Sequence, residues 1–174
     1  MHQANVYFVS GVPTNLRSHK ALAYFIKAMS LSPIIHVMVG DDYQTCHLSK
    51  DGTWYFDSRK MLRMPNLCAV FRVPVVRPLN FKPYPAGKCA RSGWPSFWRH
   101  CRLGIGRMPV DCICTALNLL HDAGLDVPMR TTTPGGLYRW MLTRGYPHAA
   151  DPRLRDPAGF RDAARQFIPD PRDE

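Results

Sequence analysis

Asp111-Cys112-Ile113-Cys114-Thr115-Ala116-Leu117-Asn118-Leu119-Leu120, set against Ile34-Ile35-His36-Val37-Met38-Val39-Gly40 far upstream, decides how this chain is understood. The first stretch has the apolar spacing of an amphipathic helix and opens it with a cysteine. The second is a β-branched apolar run, the signature of a strand, with a histidine inside it. A helix N-terminus carries partial positive charge, and its first-turn amides can hold an oxyanion. A thiol placed there is favoured as thiolate, and an imidazole on a neighbouring strand can take and return its proton. Cys112 is therefore the candidate nucleophile and His36 the candidate base, with the histidine preceding the cysteine in the chain.

Working outward, Gly40-Asp41-Asp42 reads as a turn, and Tyr43 to Leu48 as a strand returning from it. Pairing centred on that turn brings His47 near His36, so His47 is the candidate for orienting the imidazole. Cys114 is the rival nucleophile. It lies two positions on, about 200° around the helix, while Cys112 shares a stripe with Ala116, Leu119, Leu120 and Ala123 that would pack on the sheet. The ordinary alternative is that a strand histidine is satisfied by a backbone group and a helix-start cysteine is simply buried.

The rest of the chain frames these two segments. Asn5 to Ser10 reads as a buried strand, ended by Gly11-Val12-Pro13. A helix follows from Ser18, with Leu22, Phe25, Ile26 and Met29 on one face, until Ser32-Pro33 breaks it. Thr53 to Phe56, after a turn at Lys50-Asp51-Gly52, completes an antiparallel meander, and Leu67 to Val73 is a further strand. Residues 80–110, with Trp94, Phe97 and Trp98, read as a long ordered loop or short helix. Gly104-Ile105-Gly106 lacks the third glycine and the strand context of a nucleotide loop. Gly124 caps the Cys112 helix, and Thr133-Pro134 opens a last one with Leu137, Trp140 and Met141 on its apolar face. From Ala150 the chain is rich in Pro, Arg and Asp. It reads as an extended or partner-docked tail, with Leu154, Phe160, Phe167 and Ile168 as its apolar anchors.

The 174 residues suffice for one domain with a real core, 45% of them hydrophobic. The expected division is a single domain over 1–149 and the tail over 150–174. No apolar run reaches the roughly 18–20 residues of a membrane span. The N-terminus lacks a basic region followed by an apolar one, so a cytoplasmic chain is expected, unless it leaves inside an assembly. The net charge of +10 suits a polyanionic partner or plain solubility, and nucleic-acid binding has only that charge behind it. Six cysteines without a secretory context argue against a disulfide framework. Cys112-x-Cys114 with Cys46-His47 departs from zinc-ligand spacing, so neither metal nor cofactor is expected.

The pattern of helix, Ser32-Pro33-x-x-His36-Val37, a polar residue on the next strand, and then Asp111-Cys112 at a helix start resembles the circularly permuted papain-like cysteine hydrolases. That group includes the lecithin–retinol acyltransferase-like proteins and cell-wall peptidases. Cys112 to Tyr138, with Ala123-Gly124-Leu125 and Thr133-Pro134-Gly135-Gly136-Leu137-Tyr138-Arg139, also looks like small permuted papain-like proteins of tailed bacteriophages. The resemblance covers residues 5–142. It departs at Thr115 and Ala116, where an aromatic and β-branched pair is usual.

The resulting expectation is an α+β, permuted papain-like fold with a central antiparallel sheet packed against the cysteine helix. The expected activity is a thiol hydrolase cleaving an amide bond in a peptide or peptidoglycan stem. It would act through a Cys112 thioester, with His36 as base and His47 as orienter. The resemblance equally implies acyltransferase or thioesterase chemistry at the same groups. The contrasting reading is a non-enzymatic virion protein that keeps the fold and docks through residues 150–174. Nucleic-acid binding stands third.

Overall fold

A computed structural model describes residues 2–11, 24, 28, 31–49, 52–64, 66–81, 112–128, 131 and 133–168. Six strands, β1 (His2–Ser10), β2 (Ile34–Gly40), β3 (Gln44–Ser49), β4 (Gly52–Asp57), β5 (Leu67–Val75) and β6 (His148–Ala150), form one sheet in the order β4-β3-β2-β1-β5-β6. Every pairing is antiparallel. The helices are α1 (Cys112–Asp122), α2 (Pro134–Thr143) and α3 (Pro157–Ala164), with a 3-10 segment over Ser58–Arg63. The class is α+β, as the sequence led one to expect. The helix expected from Ser18 and the segment 80–110, with Trp94, Phe97 and Trp98, lie almost wholly outside the described residues, as do Asp111, Cys89 and Cys101.

Strand alternation sends each strand's side chains to two separate cores. Val6 and Phe8 of β1, Val37 and Val39 of β2, Cys46 of β3, and Phe71 and Val73 of β5 pack with Ile113, Ala116, Leu117 and Leu120 of α1 and Leu137 and Met141 of α2. Tyr7, Val9, Met38, Leu67 and Val70 point the other way and meet Met61 of the 3-10 segment, with Phe160, Ala164, Phe167 and Ile168. The sheet is thus covered on both sides. Two irregularities interrupt β1, one between Val9 and Ser10 against β2 and one between Phe8 and Val9 against β5. An extra residue on a partner strand at each point increases the local twist of the sheet.

The helix boundaries follow their caps. Gly124, at φ 88°, ends α1: its amide donates to the His121 oxygen at 2.9 Å, and the Leu125 amide donates to the Leu120 oxygen at 2.9 Å. That is a Schellman closure, which L side chains at the glycine position resist. Thr133 accepts from the Gly136 amide and leaves Pro134 in the first turn of α2.

The C-terminal region corrects the expected tail. Ala149 of β6 pairs with Val70, and Asp156 caps α3 by accepting from the Gly159 amide. Phe160, Ala164, Phe167 and Ile168 are buried in this chain's own core rather than held out for a partner. The sequence pattern is sparse here because a short helix seated on a sheet needs only one narrow apolar stripe.

Candidate active site

The β2–β3 turn is built by Asp41, whose carboxylate accepts from the amides of Tyr43 at 2.8 Å and Gln44 at 2.7 Å. Gly40 belongs at its mouth, since a Cβ there would lie 2.5 Å from the Thr45 hydroxyl oxygen. The ladder beyond it comprises Val39–Cys46 and Gly40–Thr45. Continuing that register sets Met38 across from His47, with His36 one diagonal step away, a separation long side chains can bridge. They do: His36 Nε2 and His47 Nδ1 are 2.8 Å apart, and the rings meet edge to face with centroids 4.7 Å apart. The expected juxtaposition of the two histidines is present, reached diagonally rather than directly across the turn.

Both rings are half-buried, and each is held neutral. Burial pushes His36 down to about 3, with the neighbouring His47 imidazole adding to the effect. Burial likewise lowers His47. Desolvation penalises the charged form of an imidazole, which is why both move the same way. With two neutral rings, one nitrogen of the contact donates and the other accepts. The tautomer of each ring is therefore tied to that of the other. His36 Nδ1 is the ring nitrogen that His47 does not engage.

His47 is also flanked by Phe56, whose ring centroid lies 6.3 Å away, and stands directly across from Trp54 in the β3–β4 ladder. Trp54 was not singled out from the sequence. The turn-centred reckoning that linked His36 to His47 finds it as well, when applied to the turn at Lys50-Asp51-Gly52.

Cys112 opens α1 as expected, half-buried against the core shared by α1 and the sheet. Cys114 is half-buried too, so burial does not separate the two thiols. The buried face is wider than the expected stripe of Cys112, Ala116, Leu119, Leu120 and Ala123, because Ile113, Thr115, Leu117 and Asn118 are also buried. His36 pairs with Val9 of β1, and Val9 belongs to the core on the α3 side of the sheet. Val37 and Val39 are the β2 residues that face α1. The structure thus brings His36 and His47 into direct contact on one side of β2 and sets Cys112 against the core on the other. Among the described residues, no group of three or more His, Cys, Asp or Glu converges as a metal would require. No helix among them is long and apolar enough to cross a membrane.

No protein-family model, curated protein or solved structure matches the chain.

Proposed function

We propose that the chain is a thiol hydrolase of permuted papain-like type, acting on an amide bond of a peptide or peptidoglycan stem. Cys112 is the nucleophile, His36 the base and then acid, and His47 the residue that orients His36. The observation carrying this reading is the 2.8 Å contact between His36 Nε2 and His47 Nδ1. It fixes one imidazole through the other and leaves Nδ1 of His36 unengaged by His47, the nitrogen that would take a thiol's proton.

In the first half-reaction the Cys112 proton passes to His36 Nδ1 as sulfur bonds to the carbonyl carbon. The amide C–N bond then breaks, and the leaving nitrogen takes the proton from His36. In the second, water adds to the thioester, its proton goes to His36, and the C–S bond breaks to return the thiol. Because burial keeps His36 neutral, proton transfer accompanies attack and no imidazolium stands ready to lower the Cys112 thiol beforehand. Cys112 packs on the α1 side of β2, so this reading requires Sγ to reach Nδ1 past the Val39–Cys46 pair, where backbone pairing of β2 with β3 ends. An acyl acceptor replacing water would make the same groups an acyltransferase.

A second reading, a virion protein that keeps the architecture without the chemistry, is favoured by one observation. His36 shares its side of the sheet with Val9, whereas α1 packs on the other. Brief alkylation at neutral pH followed by mass spectrometry separates the two. A hydrolase gives fast modification at Cys112 ahead of the other five cysteines, slowed in His36→Ala. Equal rates in both proteins, or preferential labelling of Cys114 or Cys101, overturn the hydrolase reading.

A further inference from the structure

The side of the sheet that carries the histidines continues outward into an aromatic surface. His47 stands directly across from Trp54, so their Cβ atoms lie about 5 Å apart on one face. Exposure rises along this row: His36 and His47 are half-buried, while Trp54 is 57% exposed on β4, the terminal strand of the sheet. Phe56, two residues along β4 on the same face, backs the His47 ring, so the imidazole is held between a packed aromatic and an exposed one. An exposed indole is unremarkable alone. One directly opposite a half-buried imidazole pair, at the outer rim of the same face, is placed to touch a ligand that reaches those imidazoles from the β4 edge.

We propose that Trp54 is a specificity-determining residue of the His36–His47 site, reading an apolar side chain of an extended peptide substrate. This rests on the amide-hydrolase reading above. The spacing sets which side chain it reads. The imidazole centroids are 4.7 Å apart, and a further cross-strand step of about 5 Å reaches Trp54. That span of about 10 Å equals some three residues of extended chain at roughly 3.3 Å each. The side chain seated on the indole is therefore two or three residues from the amide being cleaved. A broad flat ring with little rotamer freedom suits an apolar or aromatic side chain, which loses water against it at small entropic cost.

The test uses blocked hexapeptides that differ only by Leu, Phe, Asp or Ala at each position in turn, assayed with wild type, Trp54→Ala and Trp54→Phe. The expected result is a preference for Leu or Phe two or three residues from the cleaved amide. That preference should collapse in Trp54→Ala, largely return in Trp54→Phe, and show as a rise of about tenfold in KM rather than a fall in kcat. Cleavage with the same preference and KM in Trp54→Ala overturns the assignment. Should no protein cleave the peptides, the hydrolase reading falls, and binding of the same peptides is read by isothermal titration. Apolar-selective binding weakened about tenfold in Trp54→Ala then still supports Trp54 as a peptide-reading residue. Equal or absent binding in both proteins overturns it.

Discussion

Arg72 on β5 donates to the main-chain oxygen of Phe167 at 3.1 Å, fastening the C-terminal segment to the sheet. The same guanidinium bonds the Asp42 carboxylate at 3.0 Å and the Asn5 side-chain oxygen at 3.4 Å. One side chain thus ties together the β2–β3 turn, β1 and the end of the chain.

Removal of residues 150–174 is therefore expected to destabilise the protein heavily. Phe160→Ala alone should cost about 3–5 kcal/mol, the usual range for a buried Phe. With several such side chains lost, the truncated chain should melt about 10 °C or more below the full chain, or fail to fold. Arg72→Ala should loosen the same segment more mildly, seen as faster amide exchange over 157–168. Thermal melts check the first two and hydrogen exchange the third, and a truncation that melts within a few degrees of the full chain would refute this account of the core.

Acid should weaken the fold through the histidine pair. Both imidazoles have folded pKa values below the unfolded value of about 6.5, His36 at about 3. Between these limits the unfolded chain binds more protons, so stability is fully present above about pH 6.5 and is lost progressively as pH falls toward 3. Urea unfolding at pH 7, 5.5 and 4.5 should show this decline, and a His36→Gln, His47→Gln double variant should flatten it. An unchanged slope would mean other groups carry the acid sensitivity.

The two histidines should not be equivalent in activity. His36→Ala removes the base and should lower kcat by about 10²–10⁴. His47→Ala should cost less, because it removes orientation rather than proton transfer, and His47→Asn should restore part of the loss. Equal losses with no rescue, in proteins of unchanged stability, would make His47 itself the base.

Gly124→Ala tests the end of the cysteine helix. The position has φ 88°, and an added Cβ would lie 2.9 Å from the Val76 Cβ. Left-handed backbone costs an L residue about 1–2 kcal/mol, and the close approach adds to that unless exposed Val76 shifts. A loss of about 1–3 kcal/mol in urea unfolding is expected, and a neutral result would show that the closure relaxes freely.

The central sheet was legible because its strands are unambiguous locally. Ile34 to Gly40 and Leu67 to Val75 are β-branched runs bounded by turn residues, and Thr133-Pro134 and Gly124 announce helix ends whatever surrounds them. The meeting of His36 and His47 was legible too, since a short turn dictates which residues return beside each other. The sheet face His36 points to was not. Alternation sets His36 opposite Val37 and Val39, and which of the two faces α1 covers is decided by contacts distant in the chain that no local pattern records. The core role of Phe160 and Ile168 was hidden for another reason. Their partners, Tyr7, Val9 and Met38, are some 120 residues or more away, and no local period records a contact at that separation.

The short β2–β3 ladder also bears on how the molecule comes apart. β1 is knitted to β5 along most of its length and β3 to β4 along all six residues of each, yet β2 meets β3 at two backbone pairs. Beyond those pairs, the imidazole contact joins the two strands. The sheet therefore has a seam, with the β3–β4 hairpin and its 3-10 segment on one side and the β2-β1-β5-β6 block on the other. Opening along that seam breaks fewer backbone pairs than dividing the sheet between any other two strands. It would also draw His47 away from His36, so the residues proposed for catalysis double as the clasp between two cooperative units of the fold.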